Sequence, residues 1–219
     1  MPEIIQGTPE WHEVRRGIVT ASTVKALLTP TLKVADNDTS RGAVATLVAE
    51  RISGFTEDTP MNADMWRGVE CEPFARDLYS KHHAEAREIG FMVRDDWGFK
   101  IGYSPDGLVG DDGLIEIKCP RAKTHVRTVL ADEVPAHYMA QLQTGLLVSG
   151  RQWIDFVSYC GGLPLWVKRV EPDPAWQEAI VAAVTAFERA AVEMVDRWLT
   201  ASEGLPPTER INFDTEIVI

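Results

Sequence analysis

The sequence lacks the features that mark disulfide-rich, secreted and membrane proteins. Its three cysteines, Cys71, Cys119 and Cys160, form no CxxC pair and cannot all pair with one another, so we expect reduced thiols in a cytosolic protein. No apolar run approaches the roughly 18 residues that a membrane span needs. The first residues show no basic region followed by an apolar stretch, so we expect neither a secretory signal nor a membrane partner.

Basic residues are scarce relative to acidic ones. The chain has 22 Lys and Arg against 33 Asp and Glu, which gives a net charge of −11. Because phosphate contacts need Lys and Arg, this balance argues against a protein that coats nucleic acid. It is compatible with an enzyme that has a local basic groove, or with divalent cations that bridge carboxylates to phosphate. The remaining composition, 45% hydrophobic over 219 residues, predicts one globular domain over 1–219.

The pattern along the chain predicts helices around a small, mostly antiparallel sheet. Turn residues rich in Asp and Gly separate the strands, and a mobile loop (29–39) and a tail (206–219) complete the chain. The predicted helices are 9–16, 21–28, 40–54 (capped by Ser40), 62–83, 124–131, 136–148 and 174–200. The predicted strands are 88–93, 99–104, 114–119, 153–159 and 165–170. This order of elements is typical of a mixed α/β or α+β domain.

Three ionisable residues in the segment SPDGLVGDDGLIEIKCP suggest metal chemistry. Glu116 and Lys118 are two residues apart on a predicted strand, so they share one face, while Ile115 and Ile117 face the other way. A charged pair on an otherwise apolar strand is costly unless something compensates it. If the strands 99–104 and 114–119 pair through the intervening Asp-Asp-Gly turn, Asp106 comes next to Glu116.

These residue types suit hydrolysis of a phosphodiester. Mg²⁺ takes oxygen ligands, usually one or two carboxylates together with water and substrate phosphate, and Asp106 and Glu116 would supply them. Lys118 can orient a water molecule or neutralise charge in the transition state. The alternative from these residues alone is a surface hairpin with an ordinary Glu–Lys pair and a Pro-Asp-Gly turn.

Four ordered blocks of the sequence, which span about residues 7–160, carry a family pattern. They are WHEVRRGIVTAS (11–22), GVECEPFAR (68–76), SPDGL with LIEIKCP (104–108 and 114–120) and YMAQLQ (138–143). The Pro-Asp pair at 105–106 and Glu-Ile-Lys at 116–118 match the PD-(D/E)xK nuclease signature. Together the blocks resemble the phage lambda exonuclease and YqaJ-like viral recombinase family. The resemblance implies a restriction-endonuclease-like core, in which helices flank a central mixed sheet.

The resemblance also assigns further residues to the metal site. It implies that Glu72 is a third acidic residue near a second metal ion; Glu70 is the less favoured choice, because it lies on a different helical face. The carbonyl of Ile117 is a further ligand candidate. Gln141 would lie beside the catalytic lysine and the attacking water, whereas Gln143 is either exposed or hydrogen-bonded structurally.

A second cluster is implied for the 5′-phosphate of a DNA end, at Arg15, Ser22 and Ser104. Arginine makes bidentate phosphate contacts, and Ser22 would lie at the start of a helix, where anions bind. From the residues alone, a surface salt bridge for Arg15 and a capping role for Ser22 remain the alternatives.

The family resemblance therefore implies a 5′-to-3′ exonuclease that digests linear double-stranded DNA to mononucleotides and leaves a 3′ single strand. It implies Mg²⁺ as cofactor, with two ions and Mn²⁺ as a substitute. It also implies a ring-shaped homotrimer, a single-strand annealing protein as partner, and a phage or prophage origin in the bacterial cytoplasm. The alternatives are an endonuclease of the same superfamily and a non-catalytic DNA-end-binding scaffold. An iron–sulfur nuclease is disfavoured, because three cysteines cannot supply four thiolates.

Overall fold

The computed structural model describes residues 4–57 and 60–210, so the predicted tail lies outside the described residues from position 211 onward. No helix in these ranges is long and apolar enough to cross a membrane. The helices are α1 (Pro9–Arg15), α2 (Ala21–Val24), α3 (Asp38–Ser53), α4 (Ala63–His82), α5 (Ala122–Ala131), α6 (Met139–Ser149) and α7 (Pro174–Ala201). A single 3-10 turn, Ala136–Tyr138, leads into α6.

The strands form two sheets in which most pairs are antiparallel, as predicted, although each sheet also contains one parallel pair. They are β1 (Val19–Thr20), β2 (Ala86–Arg87), β3 (Met92–Arg94), β4 (Ile101–Tyr103), β5 (Gly107–Val109), β6 (Gly113–Lys118), β7 (Trp153–Ser158) and β8 (Trp166–Val170). One sheet has the order β1-β4-β3 and the other β2-β5-β6-β7-β8. The pairs β1–β4 and β6–β7 are parallel and the others antiparallel, so both sheets are mixed.

The strand that pairs with the first part of β6 is β5, which the sequence analysis missed. The pairing of 99–104 with 114–119, which we considered as one way to bring Asp106 beside Glu116, does not form, because β4 belongs to the three-stranded sheet. Instead Gly107 pairs with Ile115 across β5 and β6. Asp106 directly precedes β5, so it still arrives beside Glu116. The expected proximity holds for a different topological reason.

The predicted strand 88–93 is also wrong, because β2 ends at Arg87 before it and only its last two residues lie in a strand, β3; β2 and β3 belong to different sheets. Between them, Gly90 lies against the chain near Ile4: an added Cβ would come within 2.0 Å of the Ile4 carbonyl oxygen. The side chain of Gln6 donates to the Ile89 carbonyl at 2.8 Å. Residues 89–90 therefore pack against Ile4 and Gln6 and do not pair in a sheet.

The segment between α2 and α3 is a closed turn where we predicted a helix end and a mobile loop. The helix ends at Val24, and Leu28 forms an antiparallel bridge with Val34. The amide of Thr29 donates to the carbonyl of Lys33 at 2.8 Å. These contacts satisfy the backbone groups of the turn locally. Because such a turn leaves no periodic pattern in the sequence, we predicted it as a mobile loop.

Helix α3 begins earlier than predicted because its cap is Asn37 rather than Ser40. Asn37 Oδ1 accepts from the Ser40 amide at 3.0 Å, and the Ser40 hydroxyl accepts from the Asn37 amide at 3.0 Å. This reciprocal pair is a capping box, which satisfies two amides that have no partner within the helix. The end was predicted correctly, since Gly54 adopts the left-handed conformation with φ 64°.

The five-stranded sheet is covered on both faces by apolar packing. One face, towards α6, α2 and α7, belongs to the cluster that includes Leu114, Leu142, Leu146, Ile154, Phe156, Ile180 and Phe187. The face towards α4 packs Ala75, Tyr79, Val109, Ile115, Ile117 and Val157. Burying one such Leu, Ile or Phe stabilises the fold by ~1.5–3 kcal/mol. The alternation along β6 therefore turns Leu114, Glu116 and Lys118 towards α6, as the spacing predicted.

The three cysteines are free, as expected. Burial, with smaller contributions from neighbouring groups that include Cys71, raises the pKa of the Cys119 thiol to about 12. Cys119 directly follows Lys118, so this neighbour of the ionisable cluster remains a neutral thiol rather than a thiolate.

Candidate active site

Glu116 is the centre of the ionisable cluster, with only 1% of its surface exposed. Its Oε1 accepts hydrogen bonds from Lys118 Nζ and from Gln141 Nε2, each at 2.5 Å. Its Oε2 accepts from the Tyr103 hydroxyl at 3.0 Å. Burial of a carboxylate is tolerated only when such partners replace water, so these three donors explain how Glu116 sits inside an apolar strand.

Asp106 joins this cluster from the residue before β5. Its Oδ2 accepts from the Ile117 amide at 2.6 Å, which fixes the start of β5 against β6. Burial, and next the charge of Glu116, raise the pKa of Asp106 well above its usual range, while Lys118 opposes the shift. Two neighbouring carboxylates with incomplete compensation are the electrostatic setting that a bound cation relieves.

Lys118 remains an ammonium despite its partial burial. Burial acts to lower its pKa, but Glu116 and Asp106 together more than offset this, and the pKa lies above the usual value. Its side chain is 25% exposed, and the ammonium lies 5.5 Å from the centre of the Tyr138 ring. Lys118 thus offers a fixed positive charge at the edge of the cluster, open to a substrate.

Helix α4 adds Glu72 together with Arg76, which the sequence analysis did not single out. Arg76 forms an ion pair with Glu72 one turn earlier, and its Nε donates to the Asp106 carbonyl at 2.8 Å. Burial raises the pKa of Glu72, Arg76 lowers it, and Glu116 raises it further. Glu70 is exposed, so the structure brings Glu72 and not Glu70 to the cluster. Arg76 stands in the quoted GVECEPFAR block, which was the available signal.

The two glutamines of α6 have separate environments. Gln141 donates to Glu116, as described above. Gln143 is 1% exposed; it donates to the Glu171 carbonyl at 2.8 Å and accepts from the Asp173 amide at 2.9 Å. Gln143 therefore fastens the start of α7, and Gln141 is the glutamine that lies in the ionisable cluster.

Arg15 and Ser104 form the core of the second cluster. Arg15 Nη1 and Trp11 Nε1 both donate to the Ser104 hydroxyl, each at 2.9 Å, and the guanidinium lies 3.9 Å from the Trp11 ring centre. Burial lowers the pKa of Arg15 to about 10, and the nearby Glu50 partly offsets this. Among the described residues no carboxylate forms an ion pair with Arg15, so the surface salt bridge we considered is not what holds it.

Ser22 lies near this cluster but shows no direct contact with it in the described part of the chain. It is exposed, and its hydroxyl pairs with that of Thr20 at 3.1 Å. Strands β1 and β4 run parallel with Thr20 opposite Gly102. Ser22 and Ser104 are each two residues beyond that pair, so both chains leave the sheet at the same end. Ser22 is inside α2 and does not cap it.

The donor chemistry fits a hard divalent cation. Within residues 4–57 and 60–210, no group of three or more His, Cys, Asp or Glu side chains is already gathered as a complete ligand set. Mg²⁺ does not need one, because it keeps several waters and binds through one or two carboxylates plus substrate phosphate. Asp106 and Glu116 supply such a pair, with Glu72 as a third carboxylate close enough to influence them electrostatically.

Comparisons with known proteins agree with this arrangement. Residues 10–152 match the YqaJ-like viral recombinase domain. An alkaline exonuclease (LHK-Exo) from Laribacter hongkongensis, also solved in complex with dAMP, is 36% identical; the match covers 91% of this chain and 100% of that chain, with a TM-score of 0.81. A phage-related exonuclease from Haemophilus somnus 129PT is 14% identical over 83% of this chain and 96% of that chain, with a TM-score of 0.67, and shares the fold. No curated protein sequence matches.

These matches decide three predictions from the sequence. The family resemblance is confirmed by a domain match that covers more than half of the chain. The mixed α/β, restriction-endonuclease-like fold is confirmed by superposition on the alkaline exonuclease, as is the prediction of an enzyme. The chain belongs to the YqaJ-like viral recombinase domain family, and it is a nuclease.

Proposed function

We propose that this nuclease is a Mg²⁺-dependent 5′-to-3′ exonuclease that digests linear double-stranded DNA to mononucleotides and leaves a 3′ single strand for annealing-based recombination. The observation that carries the proposal is the position of Ser104, which accepts from Arg15 and lies two residues before Asp106. A cation suited to a terminal phosphate thus adjoins a carboxylate pair suited to phosphodiester hydrolysis.

In this proposal Asp106 and Glu116 hold Mg²⁺, with the Ile117 carbonyl and Glu72 as further ligands for a pair of ions. The bound ion polarises the scissile phosphate and lowers the pKa of a bound water, and Mn²⁺ serves as a substitute. Lys118 and Gln141 orient the attacking water and stabilise charge on the phosphate oxygens. Their present convergence on one oxygen of Glu116 supports a shared task.

The end preference rests on the second cluster. Arg15 has its guanidinium stacked on Trp11 and forms no ion pair with a carboxylate among the described residues, so its charge is available to a phosphate. A planar guanidinium binds phosphate oxygens in a bidentate manner. Ser104, and Ser22 at the same end of the parallel strands, would add hydroxyl donors. The alkaline exonuclease that binds dAMP, a deoxynucleoside monophosphate, supports mononucleotides as the product.

The proposal extends to assembly and partners. We expect a ring-shaped homotrimer around the duplex, a single-strand annealing protein as partner, and action in the cytoplasm of a bacterial host of a phage or prophage. An acidic exterior with a basic channel would reconcile the net charge of −11 with DNA binding, since phosphate contacts need a local basic surface.

Linear duplexes labelled separately at each end, with and without a 5′-phosphate, test this function. Incubation with Mg²⁺ should release labelled mononucleotides first from the 5′ end, faster with the phosphate, and a chelator should stop the reaction. Rapid cleavage of a closed circle would instead show an endonuclease. A protein that binds ends but degrades no linear duplex with Mg²⁺ would be a scaffold.

A further inference from the structure

Tyr103 is a buried polar residue in the candidate active site, and it has no role in the proposed chemistry. Its side chain is 1% exposed, and its hydroxyl donates to Glu116 Oε2. The other two donors, Lys118 and Gln141, both converge on Oε1. The two oxygens of Glu116 are therefore held from different sides, and Tyr103 is the side-chain donor that holds Oε2.

The position of the Tyr103 ring is fixed by α6. A Cβ added to Gly145 would lie 2.7 Å from Tyr103 Cζ, so the absence of a side chain there admits the ring. Gly145 stands one helical turn after Gln141, and residues at that spacing share a face. The same helix face thus places one donor on Glu116 and makes room for the other.

Tyr103 is suited to orient a carboxylate rather than to react. Burial, followed by the charges of Glu116 and Asp106, raises its pKa well above the usual value, so it stays a neutral O–H donor. A neutral donor fixes the carboxylate plane without cancelling its charge. The terminal torsion of a Glu side chain is broad, so without this contact only the two donors on Oε1 would set the orientation of the carboxylate.

We propose that Tyr103 is a positioning residue for metal binding: it anchors Oε2 of Glu116 so that Oε1 faces Lys118, Gln141 and the cation. This inference rests on the proposed function, in which Glu116 is a Mg²⁺ ligand. Groups that orient a metal ligand typically change metal affinity by about 10- to 100-fold when they are removed.

Tyr103→Phe tests the inference, because it keeps the ring and its packing. Mg²⁺ affinity is measured by titration calorimetry on DNA-free protein, beside thermal unfolding in chelator. We expect Mg²⁺ to bind about 10-fold more weakly and excess Mg²⁺ to restore part of the nuclease rate.

Tyr79→Phe is the matched control. Tyr79 is a fully buried tyrosine whose hydroxyl donates to a buried carboxylate, Asp155, at 2.7 Å on the opposite face of the sheet. The Tyr79→Phe variant should lose as much thermal stability as Tyr103→Phe, while its Mg²⁺ affinity stays that of the wild type. An unchanged affinity in Tyr103→Phe, or an equal loss in Tyr79→Phe, would overturn the positioning role.

Two further variants separate this inference from the proposed function. Gly145→Ala keeps the hydroxyl but forces the Tyr103 ring to shift, and should also weaken Mg²⁺ binding; wild-type affinity there would contradict the inference. Glu116→Gln should abolish binding. If Glu116→Gln binds Mg²⁺ as the wild type does, the metal site itself is wrong and both proposals fall. If it does not, and only Tyr103→Phe is unaffected, the inference alone fails.

Discussion

Two buried tyrosines donate to two buried carboxylates on opposite faces of the five-stranded sheet, and the charges around the two pairs differ. On the face towards α4, Tyr79 and Arg169 together occupy both oxygens of Asp155. Arg169 Nε and Nη2 donate at 2.8 and 3.0 Å, and Tyr79 donates at 2.7 Å. One carboxylate meets one guanidinium, so the charge is balanced.

Around Glu116, which faces α6, the balance is different. Three carboxylates, Glu116, Asp106 and Glu72 of α4, interact with two cations, Lys118 and Arg76 of α4. Burial and mutual repulsion raise the pKa of Asp106 and of Glu72. The lesson is that the same hydrogen-bond motif can serve two ends: where charge is matched it stabilises the fold, and where negative charge is in excess it prepares a cation site.

The largest expected effect follows from removing Lys118, the cation that contacts Glu116. Lys118→Ala should lower the hydrolysis rate by about 10²- to 10³-fold, because a preorganised group that stabilises transition-state charge is lost, while duplex binding stays largely intact. Single-turnover kinetics and an equilibrium binding assay measure the two. Lys168→Ala removes a lysine from an exposed pair with Asp132 and should leave the rate unchanged. Turnover retained by Lys118→Ala would remove Lys118 from the mechanism.

The next effect comes from two variants that each neutralise one buried carboxylate, Asp155 in the balanced pair or Asp106 in the cluster around Glu116. Asp155→Asn should lower the free energy of unfolding by about 1–3 kcal/mol, since hydrogen bonds to a charged group are lost, and should leave Mg²⁺ affinity unchanged. Asp106→Asn should do the opposite: it relieves repulsion, so the thermal midpoint in chelator stays level or rises, while Mg²⁺ binding is lost. Thermal unfolding and calorimetry compare both variants. A strong destabilisation by Asp106→Asn in chelator would contradict the idea of excess charge.

A smaller effect separates the two arginines. Arg15→Ala should reduce the preference for 5′-phosphorylated over 5′-hydroxyl ends by about 10-fold, the equivalent of one charge-assisted contact. Arg169→Gln should cost stability but keep the preference, because its guanidinium is committed to Asp155. The ratio of digestion rates on the two kinds of end is the readout. An Arg15→Ala enzyme with the wild-type ratio would remove Arg15 from end recognition.

The smallest effect is a pH dependence of metal stabilisation. Acids with a raised pKa, here Asp106 and Glu72, stabilise the metal-free fold below their unfolded pKa and lose that contribution as the pH rises through the folded value. Mg²⁺ needs the deprotonated carboxylates. The difference between thermal midpoints with Mg²⁺ and with chelator should therefore widen from mildly acidic to mildly alkaline pH, in the wild type and in Asp155→Asn alike. A constant or narrowing difference would contradict it.

Long elements were predictable from the sequence, whereas short strands and their pairing were not. Helices α4 to α7 were predicted to within a few residues, and α4 and α7 begin at side-chain caps, Asn62 and Asp173. Strands of two or three residues, such as β1, β2 and β5, are too short to show an alternation. The parallel pairing of β6 with β7 depends on the crossover through α5 and α6, which leaves no local signal.

The sequence predicted that Asp106, Glu116 and Lys118 converge with Gln141, but it did not single out Arg76 or Tyr103, which contact Asp106 and Glu116. Glu116, Lys118 and Asp106 stand out, because charge in an apolar strand is unusual. Tyr103 does not, because a tyrosine in a short apolar strand is typical of core packing and its partner is set by tertiary contact. The proposed roles of Arg15, Ser22 and Ser104 stay predictions, although the structure brings Arg15 and Ser104 together.

The four-residue stretch from Tyr103 to Asp106 has a consequence for product length. Ser104 and Asp106 are separated by Pro105 alone, whose ring restricts its backbone, and two residues of extended chain span at most about 7 Å. Under the proposed function, the residue that contacts the terminal phosphate and the residue that binds the metal at the cleavage site are held at a short distance by the backbone between them. The length of the released product would then be fixed by the backbone and would stay the same as the enzyme advances along the DNA.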